Sequence, residues 1–184
     1  ISMGGGSIIV TIASTAATNP RDYRNQAGTG ITGVTAGTLQ LGDAGSGAAK
    51  SFNIAGVVPN LIVTNTSAGH TATFGAPVTY NNVSLNFTIN AGAALNFGNN
   101  VFLFSGTNIT NDGTLTHNGA SSRFIMFKPN TNVTYTGAGV VTAPMTSFEL
   151  QNDLNFTFDP SVSNVVVSRV IIFSGSFVNA NKLT

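Results

Sequence analysis

The chain has 184 residues, of which 42% are hydrophobic and only 7% are charged, with a formal net charge of +1 and no cysteine. This hydrophobic fraction is sufficient for a packed core and excludes a disordered chain, which combines high charge with few apolar residues. The lack of cysteine excludes disulfides and thiolate metal sites, and the basic residues are too scattered to form a nucleic-acid-binding stripe.

The length is typical of one domain, or of one piece of a longer elongated molecule. The first residue is Ile1, and no basic segment precedes an apolar one. The last four residues have the pattern of a further strand, so we expect a fragment of a larger polypeptide. No apolar run reaches the roughly 18 residues that a membrane helix requires.

Residues 1–50 are rich in Gly, Ala, Ser and Thr and contain two predicted strands, Ile8 to Ile12 and Thr38 to Leu41. The intervening stretch Thr18 to Asn25, with its proline, predicts a loop. Stacked β folds need a segment that covers the end of the core. We therefore predict an N-terminal cap or entry segment over residues 1–50.

From Phe52 onward, short strand patterns recur without any helical pattern between them. Leu85 to Asn90, for example, alternates apolar and polar residues and then meets the turn residues Ala91 and Gly92. Comparable units return after roughly twenty residues, the spacing expected of one solenoid coil. The predicted strands are Leu61 to Thr64, Thr71 to Phe74, Val78 to Tyr80, Val83 to Ile89, Ala94 to Phe97, Val101 to Phe104, Asn108 to Thr110, Thr114 to Thr116, Arg123 to Phe127, Val133 to Thr136, Thr146 to Leu150, Asn155 to Phe158, Asn164 to Val167, Val170 to Phe173 and Ser176 to Val178.

This repetition predicts an all-β fold, a right-handed parallel β-helix (β-solenoid) whose coils occupy residues 51–184 and continue beyond the fragment. An antiparallel β-sandwich is the alternative, because it also has short strands and frequent turns. The similarity of the units and their brief turns favour the solenoid, and 13 phenylalanines suit a narrow core of stacked rings. The side chains predicted to face inward are Leu61, Val63, Leu85, Phe87, Ile89, Leu95, Phe97, Val101, Leu103, Ile109, Leu115, Val133, Tyr135, Leu154, Phe156, Phe158, Val165, Val167, Val170, Ile172 and Phe177.

Candidates for catalysis or metal binding are few. Glu149, Asp153 and Asp159 are the closest set of acidic residues, but calcium needs about six to eight oxygen ligands. Aspartate in these contexts is also an ordinary turn residue. The only histidines, His70 and His117, lie beside or near glycine, and a metal site would need a third ligand. We predict half-exposed structural histidines and a non-enzymatic protein, with no catalytic, cofactor-binding or metal-binding residue.

Two surface patterns bear on glycans. Carbohydrate binding requires exposed aromatic rings, for which the candidates are Tyr23, Tyr80 and Tyr135. Asparagine and threonine alternate so often that Asn-x-Ser/Thr glycosylation triplets arise from the strand pattern itself. These triplets begin at Asn65, Asn82, Asn86, Asn108, Asn132 and Asn155.

Four segments carry a family resemblance: Val58 to Asn65, Ala68 to Thr73, Asn111 to Gly119 and Val170 to Thr184. Together they resemble the large β-helical surface proteins of Bacteroidota that the type IX secretion system exports, over roughly residues 38–184. The shared features are strand-and-turn motifs, so they specify the architecture more than any activity. The resemblance supplies no catalytic residues, and the C-terminal export domain usual in such proteins is not recognisable here.

The resemblance implies an extracellular or outer-membrane-anchored adhesin or filament, of the kind also used in gliding motility. The implied partners are the type IX secretion machinery, an outer-membrane anchor, and surface polysaccharide or other cells, with no nucleic acid. We therefore expect a non-enzymatic structural or adhesive rod. Its specificity is expected in loops such as Ala16 to Thr29 and Ser121 to Asn130.

Two alternatives to the adhesive rod stay open. One is a polysaccharide-binding or polysaccharide-degrading module on the same β-helix scaffold. The other is a filament subunit that adds its strand Ser7 to Ile12 to the sheet edge of a neighbouring copy.

Overall fold

The computed structural model describes residues 3–15, 22–25, 34–43, 45–64, 69–75, 82–117, 123–126, 131–142 and 147–184. These residues form strands and one short 3-10 helix, Ala180–Lys182, so the fold is all-β as predicted. The strands are β1 Met3–Val10, β2 Tyr23–Asn25, β3 Val34–Leu41, β4 Ser51–Val58, β5 Asn60–Val63, β6 Thr71–Phe74, β7 Asn82–Ser84, β8 Phe87–Ile89, β9 Ala94–Asn96, β10 Val101–Phe104, β11 Asn108–Asn111, β12 Thr114–Thr116, β13 Arg123–Met126, β14 Asn132–Thr136, β15 Val140–Val141, β16 Ser147–Leu150, β17 Leu154–Phe158, β18 Val170–Ile172 and β19 Gly175–Val178.

The strands pair in parallel and make the three faces of a β-solenoid. Sheet A has the order β1-β3-β5-β8-β11-β14-β17-β19. A longer sheet bends at β4, whose first half pairs with β6 and whose second half pairs with β7. On one side of this bend lies face B, with β15, β12, β9, β6 and β2, and on the other lies face C, with β7, β10, β13, β16 and β18. This parallel order confirms the predicted solenoid and contradicts the antiparallel sandwich.

Each coil places an apolar side chain of sheet A above the equivalent side chain of the coil before. Leu39 pairs with Leu61, Leu61 with Phe87, and Phe87 with Ile109, which are steps of 22, 26 and 22 residues. All four side chains are buried. The repeat is therefore a little longer than the roughly twenty residues predicted. Its length varies along sheet A, from 31 residues between Ile8 and Leu39 to 21 between Phe156 and Phe177.

The centre of the core is a column of phenylalanine rings on face C. Phe124 stacks on Phe102 at 5.5 Å between ring centroids and on Phe148 at 5.3 Å, with interplanar angles of 15° and 21°. Phe97, from face B, stacks on Phe102 at 4.2 Å. Burial of each such side chain contributes about 1.5–3 kcal/mol, and stacked rings add more. This column holds consecutive coils together.

Most residues of the predicted inward set are buried, but the prediction is wrong at two kinds of position. On β10 the alternation is inverted, since Phe102 and Phe104 are fully buried while Val101 and Leu103 lie on the outer side. Leu85 lies at a corner between sheets rather than in the core. The final coil keeps the predicted inward direction, since Val170, Ile172 and Phe177 pair in register with the buried Phe148, Leu150 and Phe156. These three residues and Val167 are nonetheless partly or largely exposed, because strands β18 and β19 end their sheets.

Several strand predictions also need correction. The stretch predicted as a loop contains β2, which pairs with β4, while β4 and β15 were not predicted. The single strand predicted from Val83 to Ile89 is divided by a corner into β7 and β8, and that from Asn164 to Val167 is reduced to an isolated bridge of Val165 with Leu183. The predicted strand Val78 to Tyr80 lies outside the described residues.

We expect Phe124→Ala to lower the free energy of unfolding by about 3–5 kcal/mol, because a buried ring is removed from the middle of the aromatic column. The matched control is Phe173→Ala, the same truncation at a side chain that is 66% exposed, which should cost less than about 1 kcal/mol. Urea unfolding followed by circular dichroism measures both. Equal losses in the two variants would contradict the column's role.

Candidate functional surface

The outer face of sheet A is a ladder of asparagine and threonine side chains without charge along its central strands. Thr110 and Thr136 approach to 3.2 Å between their hydroxyl oxygens. Asn155 donates from Nδ2 to Oδ1 of Asn132 at 3.2 Å, and the hydroxyl of Ser176 donates to Oδ1 of Asn155 at 2.7 Å. The ladder therefore links successive coils on the solvent side, while apolar stacking links them inside.

The ladder also accounts for four of the Asn-x-Ser/Thr triplets. The asparagine of each triplet lies within one residue of the start of a sheet A strand; these residues are Asn86, Asn108, Asn132 and Asn155. In each triplet the middle residue is buried, and the asparagine and threonine lie on the outer side. This arrangement agrees with the interpretation of the triplets as a strand pattern.

The acidic side chains are mostly engaged in turns. Oδ1 of Asp43 accepts hydrogen bonds from Gly45 N and from the hydroxyl of Ser46, both at 2.9 Å. Oδ1 of Asp159 accepts from Ser161 N and its hydroxyl, and these bonds lower the pKa of Asp159. Asp153 is exposed, and its backbone N–H donates to the hydroxyl of Ser174. These contacts are the turn chemistry that the sequence indicated.

Glu149 differs from the other acids, because it is fully buried on the outward side of face C. Arg123 donates from Nε and Nη2 to the two carboxylate oxygens of Glu149, each at 2.7 Å, and Ser147 donates its hydroxyl at 2.6 Å. These bonds, with the charge of Arg169, lower the pKa of Glu149 below its ordinary value of 4.5, although burial acts in the opposite direction. Glu149 is thus held as a carboxylate by a bidentate ion pair.

His70 is fully buried, so the prediction of a half-exposed side chain is wrong for this residue. Its ring packs edge-on against Phe52, with 5.7 Å between centroids, and Nδ1 accepts from Lys50 N at 3.2 Å. The neutral ring then carries its proton on Nε2, which has no partner among the described residues. Its contacts are those of a core residue. His117 is partly exposed, as predicted.

Two of the three predicted surface aromatics, Tyr23 and Tyr135, are buried. Tyr23 and Tyr135 are 5% and 2% exposed, and both hydroxyls have partners within the protein: Tyr23 donates to Val57 O, and Tyr135 accepts from Nδ2 of Asn111. Burial raises the pKa of Tyr135 to about 12. Tyr80 lies outside the described residues. Among the residues that the structure describes, the exposed aromatic ring is instead Phe173, which the sequence placed in an apolar run and therefore in a strand.

The loops predicted to carry specificity lie largely outside the described residues. The described part of Ala16 to Thr29 is Asp22 and strand β2, and the described part of Ser121 to Asn130 is strand β13. Both parts are therefore elements of the solenoid wall, apart from Asp22, whose carboxylate accepts from Asn53 N and joins β2 to β4.

Within the described residues, no three His, Asp or Glu side chains are close enough to hold a metal ion. No helix in that part of the chain is long and apolar enough to cross a bilayer. By its fold, the protein is a parallel β-solenoid. No family model, curated protein or solved structure matches the chain.

The lowered pKa of Glu149 predicts a pH-dependent stability. The folded state favours the carboxylate, so its stabilisation is complete above the unfolded pKa of about 4.3–4.5 and is lost as the pH falls through the lower folded pKa. We expect Glu149→Gln to lower the free energy of unfolding by about 1–3 kcal/mol at pH 7, because charge-assisted hydrogen bonds are removed. The variant should also lose less stability than the wild type as the pH falls. Unfolding free energies measured between pH 7 and 3 test this.

Asp153→Asn is the matched control, since Asp153 is an exposed acid and asparagine tolerates its positive φ of 56°. This variant should retain the wild-type decline. If the free energy of unfolding of Glu149→Gln depended on pH as that of the wild type does, the Arg123–Glu149 ion pair would not determine the pH dependence of stability.

Proposed function

We propose that the chain is a non-enzymatic structural segment of a secreted surface protein, in which stacked coils form a stiff spacer with adhesive faces. The observation that supports this proposal is the unbroken parallel order of sheet A from β1 to β19. At about 4.8 Å per strand, its eight strands extend about 34 Å along the solenoid axis. Every coil in this stack is held by its neighbours, so the stack resists bending.

Three kinds of interaction make the spacer stiff. Backbone hydrogen bonds pair the coils on each face, the phenylalanine column joins them through the core, and the asparagine–threonine ladder joins them on the outer side of sheet A. The low charge of the chain leaves little repulsion between the spacer and another uncharged surface. These properties support the proposal of a spacer with adhesive faces.

The proposed location is the cell surface of a member of the Bacteroidota, with export by the type IX secretion machinery and attachment to an outer-membrane anchor. This part of the proposal depends on the strand-and-turn resemblance in the sequence. Protease treatment of intact cells that produce the chain tests it. We expect the chain to disappear from immunoblots while a periplasmic marker is retained, and a fully protected chain would contradict surface exposure.

Stiffness by stacking predicts stepwise unravelling under force. When the chain is pulled from its ends, we expect coils to detach one at a time, because each coil contacts only its neighbours. Coils of 21–31 residues give extension steps of about 70–110 Å in single-molecule force spectroscopy. Phe124→Ala should lower the rupture force without changing the step length. A single extension of the whole chain would contradict this prediction.

A second candidate function, a filament subunit joined by strand addition, is favoured by the edge strand β1. This strand ends sheet A, carries no charge or proline, and exposes Ile9 at 54% and the following Ile12 at 78%. Natural edge strands are usually protected by charge, proline or a bulge that prevents such pairing. The pairing of β1 is irregular between Met3 and Ser7, but its second part, Ser7 to Val10, pairs in regular register and has none of these protections. At the other end of the stack, Ile172 and Val178 are 51% and 46% exposed.

Light scattering coupled to size exclusion distinguishes the filament subunit from the spacer. A filament subunit would increase in mass with concentration, and Ile9→Lys would return it to the mass of one chain by placing a charge at the edge. Ile62→Lys, on the outer side of a central strand of sheet A, is the control and should still polymerise. A constant single-chain mass would exclude strand addition between copies.

A further inference from the structure

The turns that lead from face C to sheet A, here called the C–A corner, contain two grooves. The first has a volume of about 240 Å³ and is lined by Gln151, Asn152, Phe173 and Ser174. The second, with about 200 Å³, lies nearer the N-terminal end; among the residues that line it are Asn60, Asn86, Ser105, Thr107, Ala36 and Leu85. Neither lining includes a charged side chain. Both grooves therefore suit a neutral ligand.

The second groove presents amide donors in fixed orientations. Oδ1 of Asn86 accepts from Thr107 N at 2.8 Å and from Asn108 N at 2.9 Å, and Oδ1 of Asn60 accepts from Asn86 N at 3.3 Å. Because an amide NH₂ cannot accept these bonds, the oxygen and nitrogen positions of both side chains are determined. The Nδ2 atoms of Asn60 and Asn86 have no acceptor among the described residues. These two donors lie one coil apart, and both remain available to a ligand.

The same groove contains a buried hydroxyl without a partner. Ser105 is 2% exposed, and its Oγ makes no hydrogen bond within the described part of the chain. Buried polar groups are almost always paired with protein, ordered water or a ligand. This unpaired hydroxyl, beside two amide donors, marks the groove as a site that binds polar molecules.

The first groove adds an apolar platform. Phe173 is 66% exposed and follows the inward-facing Ile172, so strand alternation directs its ring away from the core. The ring lies beside Gln151 and Ser174, which supply amide and hydroxyl groups. In the second groove, Ala36 and Leu85 supply the apolar surface. Each groove thus combines an apolar patch with uncharged hydrogen-bonding groups.

We propose that the C–A corner binds a neutral polysaccharide that runs along the solenoid axis. Amide and hydroxyl groups match the hydroxyl and ether oxygens of a sugar, and the apolar patches match its C–H faces. Grooves of this size are below the roughly 300–1,000 Å³ of sites for larger ligands and accommodate a single sugar ring each. An anionic glycan would lack a cationic partner in either groove. The proposal rests on the proposed surface role and names the molecule that the surface binds.

Affinity gel electrophoresis tests this proposal with soluble dextran, mannan, xylan and galactan, and with alginate as an anionic probe. We expect at least one neutral polysaccharide to retard the protein and alginate to leave it unretarded. Phe173→Ala and Asn60→Asp should each weaken the binding at least tenfold. Asn60→Asp keeps an oxygen that accepts from Asn86 N, removes the amide donor and adds one negative charge.

The control variants make the same changes away from the corner. Asn164→Asp adds the same charge at an exposed position, and Ile12→Ala truncates a side chain that is 78% exposed; both should bind as the wild type does. Circular dichroism verifies that all four variants fold. Retardation by none of the neutral polysaccharides, retardation by alginate alone, or undiminished binding by folded Phe173→Ala and Asn60→Asp would each overturn the proposal.

The proposed spacer role is tested separately by protease treatment of cells and by force spectroscopy, neither of which involves the grooves. A chain that is exposed on cells and unravels coil by coil, yet binds none of the polysaccharides, would overturn the saccharide proposal alone. A chain that binds them but is protected from protease would overturn the surface location and leave the binding intact.

Discussion

The in-register parallel pairing of successive coils is the constraint on which the rest of this structure depends. Because side chains alternate between the two sides of a strand, a slip of one residue would exchange the core and solvent sides of an entire coil. On β13 such a slip would move Phe124 out of the aromatic column and Arg123 into it. The cost of burying that charge and exposing that ring fixes the register of face C.

The corners must accommodate this fixed register, and close packing there restricts which residues fit. Gly42 has a φ of +85°, and a Cβ at this position would overlap the ring of His70. At Gly106, a Cβ would overlap Oδ1 of Asn86, the atom that accepts from Thr107 N and Asn108 N. The side chains of His70 and Asn86 therefore fit only because the residues opposite them, Gly42 and Gly106, have no side chain.

Sequence patterns predicted the strands of sheet A well, because these strands alternate clearly between apolar and polar residues. Face C was harder, since Val101 to Phe104 are all apolar and alternation cannot show which pair faces inward. The larger ring volume of Phe102 and Phe104 fills the core, which leaves Val101 and Leu103 outside. Strand β4 was missed because its eight residues cross from face B to face C without a turn.

The candidate surface was predicted less well than the fold, because exposure depends on neighbours that are distant in sequence. The glycine beside His70 suggested an exposed turn. In the structure the ring packs edge-on against Phe52, and the lack of a side chain at Gly42 leaves the space that the ring occupies. Phe173 ends the predicted strand Val170 to Phe173 and was named neither as a core residue nor as a surface aromatic. Its exposure results from its place at a corner, which only the complete coil geometry reveals.

The connections of the C–A corner are mostly shorter than those between face B and face C. The connections from face B to face C differ in length and account for part of the variation in coil length. They have seven residues in β6–β7, four in β9–β10, six in β12–β13 and five in β15–β16. From face C to sheet A, five of the six connections have one to three residues. Each of these connections joins two strands that are held in different sheets, so a short connection has little conformational freedom. Groups on this corner are consequently repeated at nearly the coil spacing, which is the geometry that a linear polymer with a regular repeat requires.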